Sequence, residues 1–134
     1  MILFLFFFFF FFSVNTYELD HVIELNSAAI RTFEIIHKKI QNMTPEEAQR
    51  FRLSNNLGGT SEVIYHLAIK KIYGEQYLDV IEGIKRHPAV AVPVVLNRLK
   101  QKEDEWRKAQ VQFFFFFHQF FFSSFFSKKK CKIA

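Results

Sequence analysis

The sequence predicts an all-α fold, a small orthogonal array of about five helices, on three observations. Apolar residues recur at helical spacing from residue 17 onward, a complete helix-start signal stands at Thr44–Glu47, and no stretch alternates apolar and polar residues as a strand would. Phenylalanine is segregated. Of 20 Phe, eight lie in residues 4–12 and ten in 113–126, with only Phe33 and Phe51 between them. The expected division is therefore a Phe-rich segment over 1–14, a helical folding unit over 15–112, and a Phe/Ser/Lys-rich tail over 113–134.

The first helix is expected over 17–41. Val22, Ala29, Phe33, Ile36 and Ile40 are spaced by seven, four, three and four, which puts them on one stripe, and Leu19, Ile23 and Ile30 widen it. Asn42-Met43 ends it. In Thr44-Pro45-Glu46-Glu47 the threonine can accept from the amide three residues on, Glu47 can reach back, and proline occupies a position with no N–H partner to lose. The short helix so opened should stop near Leu53. Ser54–Gly59 reads as a loop, and Thr60 or Ser61 as the cap of a third helix. Its stripes are Ile64, Ala68, Ile72 and, beside them, Tyr65, Ile69, Tyr73, with Gly74 closing it in the left-handed region. A fourth helix over Glu75–Arg86 should face Tyr77, Leu78, Ile81 and Ile84 inward, and Pro88 prevents its continuation. The fifth should begin at Val90 or Pro93 and end near Gln112. Its first half, Val92 to Leu99, should be buried, and its second half is polar up to Trp106.

The Phe runs are expected to be disordered or non-native. The first apolar run is about 13 residues, against the ~20 a spanning helix needs, so no membrane partner is expected. Thymine-rich DNA encodes Phe, Leu and Ser, and adenine-rich DNA encodes Lys, so both ends resemble translated non-coding sequence. Lys128–Lys132 matches a short nuclear-localisation pattern, which tail composition explains as well.

Charge argues against a nucleic-acid surface. Residues 18–108 hold 13 acidic and 14 basic residues, a net of +1, and the remaining four lysines lie in the tail. Reading the second and third helices as helix-turn-helix DNA recognition is the competing possibility. It offers only Lys70 and Lys71 as a basic pair and puts Glu62 at the turn that would enter the groove. A metal site is not expected, because Asp20, His21 and Glu24 find no second ligand pair and the single cysteine, Cys131, excludes a thiolate cluster. His37, His66 and His87 stand singly. Gly58-Gly59 lacks the remainder of a phosphate loop. The expectation is a chain with no catalytic residues, no cofactor and no small-molecule substrate.

Three strings, Tyr17–Asn26 (YELDHVIELN), Phe51–Ile64 (FRLSNNLGGTSEVI) and Ala89–Gln110 (AVAVPVVLNRLKQKEDEWRKAQ), together resemble the Sin-type paired-amphipathic-helix co-repressors. The resemblance covers roughly residues 16–113 and falls in the region that family uses to engage histone deacetylases. It implies a nuclear, non-catalytic scaffold whose partners are a histone deacetylase and accessory co-repressor subunits. The paired-amphipathic-helix repeats themselves are absent. Residue type suggests partner contacts on the Leu57, Gly58, Gly59, Thr60 loop and at Arg98, Lys102, Glu105, Trp106 and Arg107, where charges surround a single Trp.

Overall fold

The computed structural model describes the backbone of residues 1–54 and 62–133, and the side chains of those residues other than 12–15, 124 and 126–133. In chain order it contains α1 (Ile2–Gln41), α2 (Pro45–Arg50), α3 (Glu62–Tyr73), a 3-10 turn (Gly74–Gln76), α4 (Tyr77–Arg86) and α5 (Pro88–Ile133). No strand occurs among the described residues, so the all-α expectation holds. The chain forms two compact units: His21–Asp104, and Met1–Asp20 with Glu105–Ala134.

Two helices are much longer than the amphipathic pattern indicated. Where disordered tails were expected, α1 runs through the first Phe tract and α5 through the second. The physical reason is that nothing stops them. Residues 2–41 hold neither Gly nor Pro, none follows Pro93, and phenylalanine costs only part of a kcal/mol per helical position. The helix α5 also starts earlier than expected. Pro88 opens it, in the first turn where a missing N–H costs least, and Pro93 lies inside it.

The His21–Asp104 unit is built on one apolar core. Ala29, Ile30, Phe33, Ile36 and Ile40 of α1 meet Tyr65, Ala68 and Ile69 of α3, Ile81 and Ile84 of α4, and Val92, Val95, Leu96 and Leu99 of α5. Phe33 sets its ring edge-on to Tyr65 at 6.0 Å, a geometry favoured by the ring quadrupoles. The Tyr65 hydroxyl in turn lies 2.9 Å from Thr32 Oγ1.

Local signals act where the sequence puts them. The Glu47 amide donates to Thr44 Oγ1 and the Thr44 amide to Glu47 Oε2, both at 3.3 Å, completing the capping box of α2. Gly74 takes φ +64°, which an L side chain adopts only with strain. The α4 helix ends at His87, whose amide bonds to the Gly83 carbonyl at 2.9 Å. The segment after α2 is tied down by Leu53 N–H, which donates to the Lys85 carbonyl at 3.3 Å.

In the other unit, the start of α1 and the end of α5 pack antiparallel. The Phe8 ring stacks on Phe117 at 6.4 Å and tilts against Phe120 at 4.9 Å, and Gln110 Nε2 donates to Asp20 Oδ1.

Candidate partner-binding surface

The polar chemistry of the His21–Asp104 unit concentrates where α1 meets α5. Asn26 is 1% exposed, and its Nδ2 donates to the Leu99 carbonyl at 2.9 Å while its Oδ1 has no partner. One residue on, Ser27 Oγ donates to Glu103 Oε1. Farther along, Lys100 Nζ meets Glu34 Oε1 at 2.8 Å. That ammonium, donating to Glu34 and attracting it, holds the carboxyl below the usual carboxylate range, with a smaller pull from Lys38. These contacts fix how far α1 is slid along α5 within the unit. A polar layer in an apolar seam specifies register even where it adds little stability.

The predicted contact residues fare unevenly. Leu57, Gly58, Gly59 and Thr60 lie outside the described residues, as does Ser61, the other candidate cap. Arg98 is half-buried and donates to Gln101 Oε1 at 3.0 Å. It also acts on Tyr73: burial pushes that hydroxyl's pKa up, and the Arg98 guanidinium pulls it partly back. Arg98 is therefore anchored to its own unit. Lys102, Glu105 and Arg107 each take part in an interaction with a neighbouring group. Trp106 is half-buried. Arg98 and Lys102 belong to the His21–Asp104 unit, and Glu105, Trp106 and Arg107 to the other, so the structure does not unite the five on one body.

It brings forward residues that sequence reasoning placed inside. Leu78, expected to face inward, is 58% exposed, and Val94, expected to be buried with its neighbours, is 65% exposed. Val90 and Val94 stand four apart on α5, opposite the stripe of Val92, Val95, Leu96 and Leu99, and both are open to solvent. Val63 and Leu67 form a similar exposed pair on α3. The signal was present. Once one apolar stripe on a helix is assigned to the core, a second i, i+4 pair off that stripe has nothing of its own to pack on.

No group of three or more His, Cys, Asp or Glu that could hold a metal occurs among the described residues. The helix α2 has only six residues, and Glu62, at the start of α3, sits 3.5 Å from His66 Nε2, beyond good hydrogen-bond distance.

No family model matches the chain. Individual proteins do. It is 56% identical over 97 residues, 72% of its length, to paired amphipathic helix protein Sin3b of Mus musculus, and covers 9% of that protein. It is 47% identical over 95 residues, 70% of its length, to transcriptional regulatory protein SIN3 of Saccharomyces cerevisiae, and covers 6% of it. Paired amphipathic helix protein pst1 of Schizosaccharomyces pombe matches at 41% over 95 residues, again 70% of the chain and 6% of the relative. The chain thus spans less than a tenth of the length of the curated relatives it matches. At these identities over seven-tenths of its length, the chain belongs to the Sin3, or paired amphipathic helix, family.

Proposed function

We propose that this chain is a piece of a nuclear transcriptional co-repressor scaffold, without catalytic activity, that binds a histone deacetylase and its accessory subunits. The observation that carries the reading is the 56% and 47% identity to Sin3b and SIN3 over 97 and 95 residues. Resemblance of the same strings to the deacetylase-engaging region of the family supplies the partner. The proposed contacts are residues Leu57–Thr60, the polar residues Arg98, Lys102, Glu105 and Arg107 around Trp106, and the exposed Val90 and Val94. Physically, the role needs a rigid helical body with some apolar surface left over. The core of Phe33, Ile69, Ile84 and Leu99 supports rigidity, and the valine pair supports the surplus surface. Deacetylation would be the partner's chemistry.

The test is affinity capture with the full chain from nuclear extract, read by deacetylase activity, beside a DNA-shift assay. The expected result is captured deacetylase activity, reduced at least about tenfold by Val90→Lys with Val94→Lys, a loss of about 1.4 kcal/mol or more. Those valines face water, so the double variant should keep its helical content. Salt-sensitive DNA retention without deacetylase would overturn the proposal in favour of the helix-turn-helix reading.

A further inference from the structure

We infer that the Phe-rich helix pair, residues 2–17 of α1 with 109–127 of α5, is a membrane-inserting element whose partner is a lipid bilayer bearing anionic headgroups. The sequence reading set membranes aside because the apolar run is about 13 residues long. That run covers residues 2–14, but the first charged residue, Glu18, lies farther on. Residues 2–17 include no Asp, Glu, Lys or Arg, and neither do 109–127. At 1.5 Å per residue these uncharged stretches are about 24 and 28 Å long, close to the ~30 Å of a hydrocarbon core. By length and composition alone, α1 is long and apolar enough to cross a membrane.

Within this unit the two stretches pair, Phe8 and Phe9 against Phe117 and Phe120, and still leave most of their rings facing outward. Phe7 is 71% exposed, and Phe4, Phe6, Phe115 and Phe121 are similarly open. An apolar cavity of about 450 Å³ opens between the two helices, lined by residues such as Leu5, Phe9, Phe117 and Phe121. In water such a surface is strongly disfavoured, at roughly 25 cal/mol per Å². In a bilayer it meets acyl chains, while the helical backbone satisfies its own hydrogen bonds.

The ends of the pair identify the occupant. Residues 128, 129, 130 and 132 are lysine, directly after the uncharged stretch of α5, and the antiparallel packing puts the chain's amino terminus at that same end. Lysines at the edge of an apolar helix are attracted to anionic headgroups. At the opposite end Tyr17, which is exposed, directly precedes Glu18, and Trp106 lies outside the uncharged stretch of α5, beyond Arg107 and Lys108. Tyrosine and tryptophan favour the boundary between headgroups and water. Uncharged aromatic helices with lysines at one end and Tyr17 at the other complement an anionic bilayer. A second copy packed in the same direction would bring the like charges of the lysine ends together.

The experiment uses the full chain, purified in mild detergent and mixed with phosphatidylcholine vesicles with or without about one-third phosphatidylserine. Detergent is then removed and flotation measured. The expected result is flotation with the anionic vesicles and a shift of the single tryptophan's emission to shorter wavelength. Lys128→Ala, Lys129→Ala, Lys130→Ala and Lys132→Ala combined should lower the floated fraction at least about tenfold, and added salt should act in the same direction. Flotation that ignores both the phosphatidylserine and the lysines would overturn the inference. So would a chain that stays unfloated, or that sediments as self-associated particles with or without lipid. The Val90→Lys, Val94→Lys capture experiment reads residues of the His21–Asp104 unit, so its failure is distinguishable from these outcomes.

Discussion

Phe33→Ala is expected to lower the unfolding free energy of the His21–Asp104 unit by about 3–5 kcal/mol. Phe33 is fully buried, at the point where α1 meets α3, and its ring lies against Tyr65 within the cluster that also holds Ile69. Removing the ring forfeits its transfer free energy and leaves a cavity that helices held from several sides cannot collapse to fill. Small domains hold only about 5–15 kcal/mol in total, so the variant should populate unfolded molecules measurably. Urea denaturation followed by far-ultraviolet circular dichroism reads the change. A loss below about 0.5 kcal/mol, the range of an ordinary surface substitution, would mean the α1 stripe is not packed against α3.

Asn26→Asp is the second large effect, and it carries a pH signature. The amide at this position donates to the Leu99 carbonyl from a site 1% exposed. An ionised carboxylate there has no N–H to give and would face a carbonyl oxygen without counter-charge. The expected loss at neutral pH is about 3 kcal/mol or more. Burial raises the pKa of the introduced carboxyl above its unfolded value, so the folded state favours the protonated form. The deficit should therefore be greatest above that raised pKa and shrink as pH falls toward the ordinary carboxylate range. Asn26→Leu removes donor and acceptor together and should cost far less. Equal losses for the two variants, independent of pH, would show that Asn26 merely fills space.

Asn26 also shows how much of the fold could be read in advance. It sits on the stripe of Val22, Ala29 and Phe33 at the spacing of a core residue, so a polar side chain in an apolar row was visible as a pattern. Its partner was not, because the Leu99 carbonyl is 73 residues away and backbone groups leave no mark in a sequence. The short-range devices were legible for the same reason in reverse. Thr44 and Glu47 act on each other three residues apart, and Gly74 answers a local backbone demand.

Helix ends were harder to read. The amphipathic period that marks a helix on a core vanishes in a run of identical Phe, yet loss of period is not a stop signal, and α1 and α5 continue through it. Burial within broad apolar arcs was ambiguous as well. Tyr77, Leu78, Ile81 and Ile84 share an arc wide enough that only the packing of α3 and α5 decides that Ile81 and Ile84 go inward and Leu78 outward. Of the proposed contacts, residue type picked out Arg98 and Trp106. It passed over Val90 and Val94, because exposure of a valine depends on what the neighbouring helices leave uncovered.

Native-state hydrogen exchange on the full chain tests most directly whether His21–Asp104 folds as one body. The account predicts that amides at Phe33 and Ile36 of α1, Ile69 of α3, Ile84 of α4, and Val95 and Leu99 of α5 exchange through one shared opening, at one common free energy of several kcal/mol. Amides of α1 that exchange near the unprotected rate while those of α5 stay protected would contradict it.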